Sequence, residues 1–338
     1  MRGEKPMLRS MYSGISGLKN FQTKLDVIGN NISNVNTYGF KKERTIFKDL
    51  ISQTQAGASS PTATRGGVNA LQVGLGSQSA AIDTVHNGGS LQTTARTLDL
   101  AISGDGFFML ADSAAEEMPA TEDMESLIDN ALIDEGLANT SYTRAGNFYM
   151  DRNGFLVNAD GKYLVGVPNP TLYGEVDPNS ASNADTDKAT AAGLIGTDNL
   201  YDPATGEITI VDDMAPIKIP TNSQSMSIGQ DGSVYYNDVN GKLQFAGQLL
   251  MAKFPNASGL EKTGSNYFQV TANSGNPLIQ VGTQAGIGSI QSGFLEMSNV
   301  DLSEEFTEMI VAQRGFQANS RIITTSDEIL QELVNLKR

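Results

Sequence analysis

The stretch MLRSMYSGISGLKNFQTKLDVIGNNISNVNTYGFKK, residues 7–42, decides the fold, because a long helical repeat in it runs into an abrupt polar end. Its apolar residues recur on an alternating spacing of four and three, which is the repeat of a coiled-coil seam. This spacing predicts a helix over residues 7–35. The nine seam positions are Met7, Met11, Gly14, Leu18, Phe21, Leu25, Ile28, Ile32 and Val35.

Three glycines interrupt this helix, at Gly14, Gly17 and Gly29. A glycine in a helix interior costs about 1 kcal/mol relative to alanine. Isolated helices are marginal in water, so we expect this one to depend on packing against another element. Small residues on its surface also allow another backbone to approach closely.

The polar end of the stretch is rich in asparagine, with Asn30, Asn31, Asn34 and Asn36 within seven residues. Asparagine and glycine commonly end helices, and Gly39 can adopt the left-handed conformation of a cap. An amide side chain carries both a donor and acceptors, so it can bond a neighbouring backbone while uncharged. We therefore hypothesise that this segment contacts adjoining subunits before the chain turns outward.

A second heptad repeat lies at the other end of the chain, where one apolar residue recurs every seven residues. A parallel line of positions beginning at Phe306 is mixed, which leaves one side of the predicted helix to face water. Asp301 or Ser303 can cap its start. The repeat consists of Leu302, Met309, Phe316, Ile323 and Leu330.

The two ends of the chain carry opposite charge. Residues 7–50 hold seven basic and three acidic side chains, whereas residues 297–338 hold four basic and seven acidic ones. The two predicted helices should therefore attract each other, within one chain or between neighbours.

The middle of the chain has the pattern of β-structure. Asn-Gly and Asp-Gly pairs tolerate the positive φ of tight hairpin turns, and four such pairs separate short apolar runs. One helix is predicted in ATEDMESLIDNALIDEG, residues 120–136, with Thr121 as its cap. The four turn pairs are Asn153-Gly154, Asp160-Gly161, Asp231-Gly232 and Asn240-Gly241.

The predicted fold is a multidomain α+β architecture, in which paired, coiled-coil-like N- and C-terminal α-helices enclose nested, mainly-β domains. Its parts are an N-terminal extension (1–6), a helical inner domain for polymerisation (7–50 and 297–338), linkers (51–78 and 282–296), a β-rich middle domain (79–145 and 215–281) and an outer β-rich domain or insertion (146–214).

The composition excludes several kinds of chemistry. There is no cysteine, which excludes thiolate metal sites and cysteine nucleophiles. The single histidine leaves little for histidine-based catalysis. We expect His86 to be a loop residue. Residues 151–161 resemble a calcium loop only faintly, because Phe155 occupies a ligand position and the bidentate Glu is missing. We expect no catalytic, metal or cofactor site, and no enzyme.

Net charge and hydropathy narrow the partners further. The formal net charge of −15 argues against a nucleic-acid surface. No run of 18 apolar residues exists, so we expect no membrane-spanning helix. The start, MRGEKP, lacks the apolar run of a cleaved signal peptide.

Several motifs occur together in the order of a known family. Residues 7–50 resemble the N-terminal signature of the bacterial flagellar rod and hook axial proteins, and SNVDLSEEFTEMIVAQRGFQANSRIITTSDEILQELVNLKR (298–338) resembles their C-terminal signature. TLDLAISGDGFF (97–108) and SYTRAGNFYMDRNGFLVNADGKYLVG (141–166) are similar to the family's central β motifs. Within the family the chain is most like the hook subunits, while its acidic segments 112–140 and 171–207 look like additions.

The resemblance implies a structural subunit of the flagellar hook. Such a subunit self-assembles into a flexible, curved helical tube, the universal joint that transmits torque from rod to filament. It implies export through the flagellar type III apparatus without a cleaved signal peptide, and a place in the extracellular hook or basal body. The implied partners are other copies of the chain, the distal rod protein, the hook cap, the hook-filament junction protein and the export apparatus.

Two alternatives stay open. A distal rod protein of the basal body shares both helical ends with the hook subunits, so the linker after the first helix and the middle domain must separate the two. A secreted binding module or adhesin that carries this β core is an alternative of a different class.

The residues predicted to contact other subunits share the two heptad patterns and the asparagine-rich end. They are Leu18, Phe21, Leu25, Ile28, Asn30, Asn31, Ile32, Asn34, Val35, Asn36, Gly39 and Phe40 at the N-terminus, and Leu302, Phe306, Met309, Phe316, Ile323, Leu330 and Val334 at the C-terminus.

Overall fold

A computed structural model describes residues 4–62, 64–113, 137–169, 214–284 and 286–336. The chain divides into two units, each of which is described by itself. Unit 1 consists of Met1–Val35, Lys41–Val85 and Val300–Arg338, and unit 2 of Asn36–Phe40 and His86–Asn299. The mixed fold, mostly β-sheet with a helix near each end, agrees with the predicted α+β class.

Unit 1 contains both long helices, α1 (Glu4–Ser33) and α2 (Leu302–Leu336). Asp301 caps α2, because its side-chain Oδ1 accepts a hydrogen bond of 2.8 Å from the Ser303 amide. Glu304 and Glu305 lie in the first turn of α2, where the helix dipole favours negative charge. The predicted cap at Asp301 is thus confirmed.

Four strands complete unit 1 as two antiparallel ribbons. The first ribbon pairs β1 with β4 and has a bulge between Ile46 and Phe47, and the second pairs β2 with β3. The first ribbon lies against α1, where the Asn20 amide donates to Ser77 Oγ at 2.8 Å. The strands are β1 (Glu43–Asp49), β2 (Ser52–Ala56), β3 (Leu71–Gly74) and β4 (Ser77–Thr84).

The predicted linker 51–78 therefore carries strands. The sequence of the second ribbon shows no alternation of apolar and polar residues, because every residue of β2 and β3 is exposed. Alternation marks a strand only when one of its faces is buried.

Seventeen short strands make up the described part of unit 2, together with a 3-10 turn at Ala257–Gly259. The strands are β5 (Leu91–Thr93), β6 (Leu100–Ser103), β7 (Phe107–Ser113), β8 (Leu137–Thr143), β9 (Tyr149–Met150), β10 (Leu156–Val157), β11 (Tyr163–Pro168), β12 (Ala215–Pro216), β13 (Ser225–Ile228), β14 (Ser233–Asn237), β15 (Leu243–Leu249), β16 (Met251–Lys253), β17 (Glu261–Gly264), β18 (Tyr267–Gln269), β19 (Leu278–Gln280), β20 (Ser289–Ser292) and β21 (Phe294–Glu296).

Most of these strands form one antiparallel sheet in the order β13-β14-β15-β11-β7-β8-β18-β17, to which β9, β10, β12, β16 and β19 attach. Strand pairs β6–β20 and β5–β21 stand apart from it. The units divide the chain differently from the predicted domains. Strands β9 to β11 of the predicted outer domain pair into the same sheet as β7, and the predicted linker 282–296 carries β20 and β21. The helix predicted in 120–136, and most of both acidic segments, lie outside the described residues.

The four predicted turns are confirmed. Gly154, Gly161, Gly232 and Gly241 all have positive φ, between 74° and 90°. Each glycine lies between two strands that pair with each other, as in β13–β14 and β14–β15. The Asn-Gly and Asp-Gly dipeptides alone therefore suffice to predict where these turns lie.

Unit 2 has a core on each face of its sheet. Alternate residues of β7 point to opposite faces, so Phe108 and Leu110 join one buried cluster while Phe107, Met109 and Ala111 join the other. Large apolar side chains in this unit are thus used mainly to stabilise the unit itself.

Candidate functional site

The two long helices of unit 1 contact each other in antiparallel orientation. Residues early in α1 meet residues late in α2: Gly14 lies against Ile323 and Gly17 against Asn319. Further along, Gly315 faces the ring of Phe21, so closely that an added Cβ would lie 2.5 Å from the ring. The close approach predicted from the glycines is confirmed at Gly14 and Gly17. At Gly29 an added Cβ would meet nothing within 4 Å, so no neighbour needs that glycine to be small.

The side of α2 that is buried is not the predicted apolar line. Its buried residues are Glu305, Ala312 and Ser326, with the half-buried Asn319 completing a seven-residue spacing. This buried line is displaced by three residues from the predicted one, on which Leu302 and Phe316 are exposed. Because α1 approaches α2 closely, the buried positions of α2 hold small or polar side chains. A search for apolar repeats does not detect such positions. The supercoil of a coiled coil stays a prediction.

Large apolar side chains of α2 face outward instead. Phe306 is 49% exposed and Val334 is 66% exposed. On α1, Tyr12 and Ile15 are exposed in the same way. These exposed apolar side chains make the helix pair the candidate interaction surface of unit 1. The other exposed apolar residues of α2 are Leu302, Ile310, Val311, Phe316, Ile322, Ile329 and Leu336.

A buried amide joins the end of α1 to α2 and β1. Asn31 is 1% exposed, and its Nδ2 donates to the Glu43 carbonyl at 2.8 Å and to Glu305 Oε1 at 3.2 Å. Its Oδ1 accepts the Glu43 amide at 3.0 Å. Asn31 therefore uses both its donor and its acceptor within its own chain, where it fixes the register of three elements.

Glu305, the acidic partner in this junction, is 5% exposed. Burial raises the pKa of its carboxyl above the ordinary 4.5, and nearby Glu308 and Glu304 act in the same direction. The hydrogen bond from Asn31 and the charge of Lys42 oppose this shift without cancelling it.

Two ion pairs flank the junction. Lys24 of α1 pairs with Glu308 at 3.0 Å, and Lys42 pairs with Glu304 at 2.8 Å. The predicted attraction between the basic N-terminal and acidic C-terminal segments thus operates within one chain. The pairs border a cleft of about 280 Å³ lined by Lys24, Val27, Ile28, Lys42, Glu43, Arg44, Thr45, Val85, Glu304, Glu305 and Glu308.

The remaining asparagines have different surroundings from Asn31. Asn34 Nδ2 donates to the carbonyl and to Oδ1 of Asn30, both at 3.0 Å, which closes the last turn of α1. Asn30 and Asn36 are exposed. Gly39 and Phe40 are buried within unit 2, where Gly39 has φ of +70° and donates to the Glu296 carbonyl at 2.8 Å.

The predicted contact residues therefore fall into three groups. Ile28 and Asn31 are buried inside unit 1, and Gly39 and Phe40 inside unit 2. Most of the others on α1, with Met309, Ile323 and Leu330 of α2, are half-buried. Asn30, Asn36, Leu302, Phe306, Phe316 and Val334 are exposed and available to a partner. Their contact with other subunits stays a prediction.

Sequence reasoning missed the residues that hold the helices together. Gly315, Asn319 and Ser326 of the seam carried a heptad signal, but in small and polar residues rather than apolar ones. Lys24 and Lys42 entered only as part of a segment's net charge.

His86 lies outside the strands, and its ring packs edge-on against Phe107 and Phe268 at centroid distances of 5.6 and 5.4 Å. Within the described ranges, no three His, Cys, Asp or Glu side chains are grouped so that they could hold a metal ion.

Neither helix of the described chain is both long and apolar enough to cross a membrane.

Three family models match separate stretches of the chain. Residues 11–41 match the flagella basal body rod protein model, residues 133–236 the FlgE/F/G D1 domain of flagellar hook proteins, and residues 291–336 the C-terminal region of the flagellar basal body rod FlgEFG proteins. The first and last matches cover most of α1 and α2.

Curated relatives match nearly the whole chain. The flagellar basal-body rod protein FlgG of Bacillus subtilis (strain 168) is 50% identical over 98% of this chain and 100% of its own length. The flagellar hook protein FlgE of Borreliella burgdorferi is 34% identical over the same shares of the two chains. The FlgG rod protein of that organism is also 34% identical over those shares.

A solved structure, the flagellar hook protein FlgE2 of Helicobacter pylori, matches 41% of this chain and 26% of that chain at 17% identity, with a TM-score of 0.21. A similarity this low does not bear on the fold. The identities and coverage of the curated relatives do bear on the family: the chain belongs to the family of flagellar basal-body rod and hook proteins.

Proposed function

We propose that this chain is a structural subunit of the flagellar basal-body rod, which polymerises through the outward-facing apolar residues of its helix pair. The observation that carries the proposal is the arrangement of unit 1. The buried residues of α2 in its helix seam are small or polar, while Phe306, Ile310 and Val311 are exposed. A single chain leaves these side chains in water, and a neighbouring copy would bury them.

Chain length supports the rod over the hook. The alignment to the Bacillus FlgG rod protein spans 334 residues, close to the 338 of this chain. The alignments to two spirochaete hook proteins span 468 and 487 residues at similar coverage. Those hook proteins therefore carry more than a hundred residues that have no counterpart here.

The hook subunit is the second candidate. It is supported by the 34% identity to a hook protein across nearly the whole chain, and by the hook-like motifs between residues 57 and 108. The exposed ribbons of unit 1 lie in the segment after α1, which should distinguish rod subunits from hook subunits. A rod is straight and rigid whereas a hook bends, so the neighbours of this segment in the polymer would decide between them.

In either case the subunit acts by assembly rather than by catalysis. Other copies of the chain are its first partners, followed by the axial proteins at either end of its segment. For a hook subunit these would include the distal rod protein, the hook cap and the hook-filament junction protein. Delivery through the flagellar export apparatus without a cleaved signal peptide belongs to the same proposal. Asn30 in the last turn of α1 and Asn36 in the segment after it are exposed and are proposed contacts between copies, whereas Asn31 serves its own chain.

Electron microscopy of cells that lack the protein tests the choice. We expect truncated rods, with no hooks beyond them. Intact rods without hooks would favour the hook subunit, and unimpaired motility would overturn both.

The assembly surface is tested by the double substitution Phe306→Ser and Ile310→Ser. We expect a monomer with the far-UV circular dichroism of the wild type, and basal bodies that lack the full rod. The matched control is Val239→Ser with Leu243→Ser, which removes two equally exposed apolar residues from unit 2. Normal rods in the α2 variant, or equal loss in the control, would contradict the proposed surface.

A further inference from the structure

A buried ion pair in unit 2 lies where the chain enters and leaves that unit. Arg144 and Glu296 have side chains that are 3% and 1% exposed, and Arg144 Nη1 lies 3.2 Å from Glu296 Oε2. The guanidinium also donates to the Gly104 carbonyl at 2.7 Å. A charge pair buried this deeply is costly unless further hydrogen bonds satisfy it, so its surroundings matter.

Glu296 binds two segments that are far apart in sequence. Its Oε1 accepts the Gly89 amide at 2.9 Å, and its backbone carbonyl accepts the Gly39 amide at 2.8 Å. The next residue, Met297, donates its own amide to the Ser90 carbonyl at 2.8 Å. One residue therefore ties together the segments 36–40, 86–90 and 296–299.

Both glycines fit closely at this point. A Cβ on Gly39 would lie 2.6 Å from the Ala145 amide nitrogen, and a Cβ on Gly89 would overlap the Met297 carbonyl. The positive φ of Gly39 adds a second reason for glycine there. The backbones are thus packed against the residues that carry the ion pair.

These three segments are the ones that lead out of unit 2. The chain passes between the units after residues 35, 40, 85 and 299, and 36–40, 86–90 and 296–299 are the unit 2 residues next to those points. A second, weaker tie holds the first segment alone, since Asn266 Nδ2 donates to the Tyr38 carbonyl at 3.0 Å.

We propose that the Arg144–Glu296 pair is a latch that fixes all three linking segments on unit 2 at once. Arg144 holds the Glu296 carboxylate in place, and Glu296 then holds Gly89 by its side chain and Gly39 by its carbonyl. Both are positioning residues that act on the chain's own backbone. The latch sets the place and direction in which each linking segment leaves the unit.

Hydrogen exchange of the full-length monomer, followed by mass spectrometry, tests this. In Glu296→Ala, which removes both the ion pair and the acceptor for Gly89, we expect at least tenfold faster exchange in peptides covering both 36–40 and 86–90, with peptides of β14 and β15 unchanged. In Asn266→Ala we expect faster exchange in 36–40 only. Asp112→Asn removes another ion pair of unit 2, to Lys162 at 2.8 Å, and should leave both segments unchanged.

Arg144→Lys provides a second variant should Glu296→Ala fold poorly. It keeps the positive charge but not the planar fork that reaches Glu296 and Gly104 together, so the same two segments should loosen. The latch is overturned if exchange in both segments stays within twofold of the wild type in these variants, or if β14 and β15 loosen equally. The inference concerns the folded monomer, so its failure would leave the rod proposal to the microscopy of deletion cells.

Discussion

Phe108 and Phe306 are the same side chain in opposite surroundings. Phe108 is fully buried in the sheet of unit 2, edge-on to Phe148 at 5.3 Å, whereas Phe306 on α2 is 49% exposed. The contrast extends to the elements around them: the sheet buries most of its phenylalanine residues, whereas the buried residues of α2 are Glu305, Ala312 and Ser326. The difference teaches that unit 2 is stabilised by its own core, while unit 1 leaves large apolar side chains of α2 exposed.

The largest expected effect comes from exchanging each phenylalanine for alanine. Phe108→Ala should lower the free energy of unfolding of unit 2 by about 3–5 kcal/mol, because it leaves a cavity in a closed core. Phe306→Ala should change the free energy of unfolding of the monomer by about 0.5 kcal/mol or less, as an exposed substitution does. Chemical denaturation followed by circular dichroism measures both, and similar losses would abolish the contrast.

The helix seam can be sharpened at its glycines. Gly315→Val places branched carbon against the Phe21 ring and should destabilise the helix pair by about 1–3 kcal/mol through overpacking. Gly29→Ala is the matched control, because no atom lies within 4 Å of its added Cβ. We expect it to raise helix stability by up to about 1 kcal/mol. Thermal melting followed by circular dichroism at 222 nm measures both effects. An unchanged melting temperature in Gly315→Val would mean that the two helices pack less tightly there than the contact between Gly315 and the Phe21 ring indicates.

The polar junction predicts a pH dependence that an apolar seam would lack. The pKa of Glu305 is raised above 4.5 in the folded chain, so the folded state holds its proton to higher pH than the unfolded state does. The stability that this proton contributes is present at low pH and is lost as the pH rises above 4.5 through the raised pKa. Melting of the helices from pH 4 upward should show this decline.

Glu305→Gln should flatten this part of the pH profile, because the amide oxygen still accepts from Asn31 but carries no titrating proton. Glu332→Gln changes an exposed carboxylate on the same helix and should leave the profile as it is in the wild type. A profile that keeps its slope in Glu305→Gln would assign the pH dependence to another group.

The smallest expected effect belongs to the flanking ion pairs. Lys24–Glu308 and Lys42–Glu304 are partly exposed, so each should contribute about 0.2–1 kcal/mol at low salt. A double-mutant cycle on Lys24 and Glu308 should give a coupling energy that falls as added salt shortens the screening length. Coupling that is large and independent of salt would place this pair with the buried junction instead.

The sequence predicted the elements of this fold better than their faces. Both helices, the Asp301 cap and the four glycine turns follow from local patterns: a period of three to four, an N-cap residue and Asn-Gly or Asp-Gly pairs. Each is decided by a few neighbouring residues, so one sequence suffices.

The buried faces of the two helices and the strands of the ribbons could not be predicted without knowledge of the tertiary contacts. The repeat led by Leu302 implied an apolar seam, but the close glycine-rich surface of α1 selected Ala312 and Gly315 as its neighbours. The strands within 51–78 were invisible because neither face of their ribbon is buried. The Asn31–Glu305 contact joins residues 274 positions apart, which no local pattern contains.

That separation has a consequence for timing. The described strands of unit 2 make their sheet and core contacts with one another, and none of these contacts needs α2. Helix α1, the first element synthesised, can pack against the β1–β4 ribbon early, but it has no helix to pair with until α2 has followed. The pairing of α1 with α2 is therefore the last step of folding. In a chain halted before that point, α1 lacks its partner helix. The helix pair and the outward-facing apolar residues of α2 are therefore completed together, at the end of synthesis.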